Sequence, residues 1–166
     1  MSPRKSISKL RYYLYGIVRI RWDCLPSLRD NEWKDWLEYA EEDRREALDR
    51  FSHGKWREAC YHAQQAIEKV LKALVIRIGI FMPTHELTEL IKIVEEKYKT
   101  KMLGVTVSIE EIRKLTLHYY ASRYPNATRR LRIKYNEETA KKCIEVMEKV
   151  WSVIEKHVKT GKNMGR

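Results

Sequence analysis

The chain has 166 residues, 43% of them hydrophobic, and 34 Lys and Arg against 23 Asp and Glu, for a formal net charge of +11. That length suffices for one domain with its own core and is short for two, and the apolar share excludes wholesale disorder. The positive surplus fits a nucleic-acid or acidic partner, or in part a Lys/Glu-rich surface serving heat stability, and is silent about catalysis.

Residues 1–29 stand apart. They hold seven Arg and Lys against one acid, Asp23, with four aromatics, in a pattern neither cleanly helical nor cleanly extended. Three readings stay open: a basic arm that orders on a partner, a flap on the main body, or a translated stretch upstream of the true start. The run "YYLYGIVRI" is cut by Arg19 and Arg21 and lacks a small-residue cleavage site, so no secretory signal is expected. No apolar run approaches the ~18 residues that a membrane span needs, which points to a cytoplasmic protein with no membrane partner.

From residue 30 onward the apolar residues recur at helical spacing. The first helix is expected over about Asn31–Ser52, capped by Asp30 and ended by Gly54. The second, about Lys55–Ile78, carries the strongest signal. Trp56, Ala59, Cys60, Ala63, Ala66, Ile67, Val70, Leu71, Leu74, Val75 and Ile78 form one wide stripe, closed by Gly79. A third helix over about His85–Tyr98 follows the loop "IFMPT". The fourth opens on a capping box, Ser108 with Glu111, and stops near Arg123, because Pro125 disfavours helical geometry at Tyr124. The fifth starts after Asn136, with Glu137 and Glu138 at the positive end of its dipole, and runs through Val158. No segment from 30 onward alternates with period two. The expectation is an all-α, up-and-down bundle of about five helices over 30–160, with the basic extension 1–29 before it and a flexible tail over 161–166.

Local motifs exclude several chemistries. "THELTEL" begins like a zinc-protease helix, but Glu89 stands where the second histidine belongs. Cys24, Cys60 and Cys143 form no Cys-x-x-Cys pair, so a zinc ribbon or redox pair is not expected. Cys60 and Cys143 fall on apolar stripes as buried free thiols of a reducing compartment. No glycine-rich phosphate loop or nucleophile elbow is present, and neither metal nor cofactor is expected. Gln64 and Gln65 border the second helix's stripe, and one of them needs a hydrogen-bond partner on a loop or neighbouring helix.

Taken in order, "WLEYAEEDRREALDRFSHGKWREACYHAQQAIEKVLKALV", "THELTEL" and "HYYASRYPNA" resemble the successive signatures of HEPN domains of the small prokaryotic branch, over about residues 33–158. The resemblance implies two long antiparallel helices with shorter ones packed around them, commonly in a homodimer. It also implies frequent pairing with a minimal nucleotidyltransferase in toxin–antitoxin modules, and RNA cleavage in many members.

The ribonuclease motif of that family is an arginine, four to six residues, then a histidine. Counted from Arg123 the window holds Thr128, Arg129 and Arg130 and no histidine; the match is Arg113 to His118, with Lys114 where Asn or Asp is usual. His118 would act as general acid or base, and Arg113 would hold the phosphate and its growing charge without a metal. The competing reading makes His118 a partly buried structural histidine, since a five-residue step turns about 140° on a helix. The second candidate is the stretch His118–Tyr135. Arg123, Tyr124, Arg129, Arg130, Arg132 and Lys134 form a run with no acid from 123 to 136, suited to binding RNA or a nucleotide and, with tyrosine faces, to stacking bases. The competing readings are a solvated charge run, and a helical module that only binds a partner.

Overall fold

The computed structural model describes residues 26–159. The basic segment through residue 25, Cys24 and the tail from 160 lie outside the described residues. Six helices follow in order: α1 Pro26–Ser52, α2 Trp56–Arg77, α3 Leu87–Tyr98, α4 Ile109–Ala121, α5 Pro125–Arg130 and α6 Glu137–Lys159. The fold is an all-α bundle in which α1 and α2 form the long antiparallel pair. Among the described residues the only β-type pairing is an isolated bridge between Leu103 and Val107. No described helix is long and apolar enough to cross a membrane.

The helices start and stop for local reasons. Ser108 Oγ accepts from the Glu111 N–H at 3.1 Å while the Ser108 N–H donates to Glu111 Oε2 at 2.7 Å, a complete capping box. At the head of α6, Asn136 Oδ1 accepts from the Thr139 N–H at 2.9 Å. Gly54 (φ +70°) and Gly79 (φ +77°) take the left-handed turns after α1 and α2, which a side chain would strain.

The wide apolar stripe of α2 places that helix at the centre, with α1, α3, α4 and α6 packed around it. Ala59, Ala63 and Ala66 of α2, with Ala40 and Ala47 of α1, are fully buried. Small side chains like these let helix axes approach closely. Ile67, Leu71 and Leu74 meet Leu87, Leu90, Ile91, Ile112, Met147 and Ile154 in the continuous core.

Three boundaries differ from the sequence expectation. α1 starts at Pro26 and runs through Asp30, so Asp30 does not mark the first turn. α3 starts at Leu87, after Glu86, and His85 stays in the preceding loop. Pro125 does break α4, with Tyr124 extended at φ −119°, but it then opens α5 as that helix's first residue. A proline loses no helical hydrogen bond at that position, so the residue that stops one helix starts the next.

Candidate nucleic-acid interface

The exposed basic edge rests on a polar seam that begins inside α2. Gln64, Gln65, Glu68 and Lys72 are all buried. Gln65 Nε2 donates to Gln64 Oε1 at 2.6 Å, and Gln64 Nε2 donates to Glu68 Oε2 at 2.9 Å. The glutamines therefore satisfy each other and Glu68 on their own helix; it is Glu68 that reaches the neighbouring loop. Lys72 Nζ donates to Glu68 Oε1 at 2.8 Å, and His85 Nδ1 lies 2.9 Å from the same oxygen.

His85 passes the contact outward. Its Nε2 lies 2.8 Å from the Tyr119 hydroxyl, and the two rings stack with centroids 3.8 Å apart. A carboxylate at Nδ1 places the proton there, which leaves Nε2 to accept from the Tyr119 O–H. Tyr119 in turn carries Arg123. The guanidinium sits 4.4 Å from the Tyr119 ring and 5.0 Å from the Tyr61 ring, and donates to the Tyr61 hydroxyl at 3.0 Å. Arg123 is thus held between two aromatic faces, with no acid as its partner among the described residues.

Beyond Arg123 the edge is open. Tyr124, Arg129 and Arg130, then Arg132 and Lys134, are all exposed. Arg132 takes φ 52°, turning the chain sharply after α5. Among the described residues, none of Arg123, Arg129, Arg130, Arg132 and Lys134 forms an ion pair with a carboxylate. The run that is unbalanced in sequence is unbalanced in space as well.

Arg113 and His118 take different faces of α4. Arg113 is exposed, in line with Ile109, Leu117 and Tyr120, which are also exposed. His118 is 5% exposed, and its Nδ1 lies 3.0 Å from the Tyr135 hydroxyl. Burial lowers its pKa from 6.5 to about 4, so the imidazole is neutral at pH 7. Its other neighbours are sulfurs. Cys60 of α2 and Cys143 of α6 are free buried thiols with Sγ atoms 2.8 Å apart, and a ring nitrogen of His118 lies within 4.8 Å of both. The Cys60 contact and burial raise the Cys143 thiol pKa. The missing Cys-x-x-Cys spacing argues against a redox pair or metal site only within one local segment; the bundle joins two cysteines 83 residues apart.

Sequence reasoning finds the basic edge but not its support. Tyr61, Glu68, His85 and Tyr119 are legible there only as stripe or loop residues. The usable signal is Glu68 itself, a carboxylate in phase with an apolar stripe, which has to find partners inside.

Known proteins with this pattern agree on its class. Residues 33–157 match the HEPN domain. "Putative toxin MJ1304" of Methanocaldococcus jannaschii is 28% identical over 140 residues, covering 76% of this chain and 88% of that protein. The crystal structure of TT1696 from Thermus thermophilus is 25% identical, with a TM-score of 0.59 over 76% of this chain and 98% of that one. ST0689, an archaeal HEPN homologue, is 24% identical with a TM-score of 0.57 over 76% of this chain and 97% of its own, a likeness of fold. With the domain match spanning most of the chain and the bundle geometry in agreement, this protein is a member of the HEPN domain family.

Proposed function

We propose that this HEPN protein binds RNA or a nucleotide through the edge formed by Arg123, Tyr124, Arg129, Arg130, Arg132 and Lys134, acting as a homodimer in a toxin–antitoxin or nucleotidyltransferase-associated system. The observation that carries the reading is an exposed set of five cations with no carboxylate paired to any of them among the described residues. Guanidinium groups suit phosphate oxygens bidentately, and the exposed ring of Tyr124 suits base stacking. The toxin name of the archaeal relative supports the setting.

The test is equilibrium binding of a single-stranded RNA at several salt concentrations. Reversing Arg129, Arg130 and Arg132 to glutamate together should abolish binding at moderate salt. Neutralising the same three to glutamine should flatten the slope of log K against log salt by about 2, since each neutralised phosphate contributes ~0.7 to that slope. A salt-independent affinity, or one untouched by these changes, would refute the reading.

Metal-independent cleavage by Arg113 and His118 is the finer possibility within this function. A single chain does not present the two on one surface, and His118 is occupied by Tyr135. Cleavage therefore requires α4 to open so that His118 reaches the surface, with the arginine coming from the same chain or from a second copy. His118→Ala abolishing cleavage in a folded protein would support it. A second reading, a non-catalytic module that binds a nucleotidyltransferase, draws on the exposed Ile109, Leu117 and Tyr120 of α4, an apolar face that a partner helix can cover. Co-purification with a nucleotidyltransferase and no RNA affinity would favour that module.

A further inference from the structure

We infer that Cys60, His118 and Cys143 form an internal site for a thiophilic divalent metal ion that ties α2, α4 and α6 together beneath the basic edge. The three donors come from three different helices, and their ligand atoms all lie within 4.8 Å of one another. All three residues are buried, at 0%, 5% and 5% exposure. Two sulfurs and an imidazole are the donor set that zinc and its softer neighbours select over magnesium or calcium.

The imidazole is already oriented for the task. Its Nδ1 faces the Tyr135 hydroxyl at 3.0 Å, which leaves Nε2 as the nitrogen open to a metal. A hydrogen bond to the far nitrogen of a ligating histidine is the usual outer support of such a site. Tyr135 comes from the segment entering α6, so the support and the Cys143 ligand arrive together.

Charge favours a divalent ion. Binding releases one proton from each thiol, and the two thiolates then balance the charge of the ion, leaving a neutral centre with a neutral imidazole. No electron is transferred and no oxidant is needed. The three protein donors leave a fourth position for a water. The sulfurs, now 2.8 Å apart, have to separate by about 1 Å, because two zinc–sulfur bonds of ~2.3 Å at a tetrahedral angle span ~3.8 Å. The competing outcome, a Cys60–Cys143 disulfide, requires them to close to ~2.0 Å and makes no use of His118.

The experiment uses the full chain, reduced, stripped with a chelator and titrated anaerobically with Co(II). One equivalent should produce thiolate-to-cobalt charge-transfer bands in the near ultraviolet, and one equivalent of Zn(II) should displace them. Cys60→Ser or Cys143→Ser should abolish the bands, His118→Gln should weaken binding at least tenfold, and Cys24→Ser should change nothing. Circular dichroism establishes that each variant is folded, and Cys143→Ala serves if the serine variant is not. Absence of the bands in the wild-type chain at tenfold excess Co(II) would overturn the site, as would bands that survive loss of Cys60 or Cys143. Full retention of affinity in His118→Gln would overturn the role of the histidine. The titration needs no RNA, so its result stands apart from the RNA-binding function proposed above, whereas a filled site would engage His118 Nε2 and so exclude that histidine as the general acid or base of cleavage.

Discussion

Glu68 shows how one side chain can organise a region. It is 4% exposed and accepts from Gln64 and Lys72 while lying against His85. Removing one member of such a buried group leaves the others desolvated and unpaired, a larger penalty than the loss of an exposed ion pair. Glu68→Ala should therefore lower stability by about 3 kcal/mol, read from urea-unfolding midpoints. Adding Lys72→Met should return part of that loss by removing the orphaned ammonium, and an additive double variant would argue against the coupling. Glu111 gives a pH-dependent counterpart at the surface. The Ser108 backbone N–H, with Lys149 next, lowers its pKa from 4.5 to about 2. A depressed folded-state value means that the stabilisation is complete above pH 4.5 and is lost as pH falls towards 2. After discounting for solvent at this half-exposed site, Glu111→Gln should cost about 1 kcal/mol at pH 7. The gap between variant and wild type should close by about pH 2, as measured by the same unfolding midpoints.

At the scale of elements, the long helices announce themselves and the short one does not. The α2 stripe and the α4 capping box depend on residues within a turn or two of one another, so spacing alone reveals them. α5 stays hidden because a proline reads first as a helix breaker, and six residues carry no periodicity to contradict it. Likewise a capping residue ahead of a periodic run is the usual helix start, which points to Asn31, yet α1 extends back to Pro26. The packing around α2 makes its own prediction. Ala63 of that helix is fully buried, and a larger side chain has nowhere to go without moving a neighbour. Ala63→Leu should cost about 2 kcal/mol, visible as a lower melting temperature with helical content retained below it. An unchanged melting temperature would mean that the packing there is looser than the burial indicates.

At the scale of the molecule, the described residues present a basic edge after α4 and a semi-apolar face on α4 itself. If the second is where copies of this HEPN chain meet, Leu117→Asp should shift the sedimentation coefficient to that of a monomer while the circular dichroism spectrum stays helical. A wild-type protein that already sediments as a monomer would remove the dimer from the proposal. The sequence by itself determined the helical class, most helix ends, the HEPN resemblance and the charge of the 123–134 run. All of these follow from residues near one another in the chain, through periodicity, capping and local composition. Only the tertiary structure decided that Glu68, His85, Tyr119 and Arg123 form one line, and that Cys60, His118 and Cys143 converge under it. Those meetings join residues 17, 34 and 83 positions apart. They depend on how helices rotate and pack against one another, which no local pattern specifies.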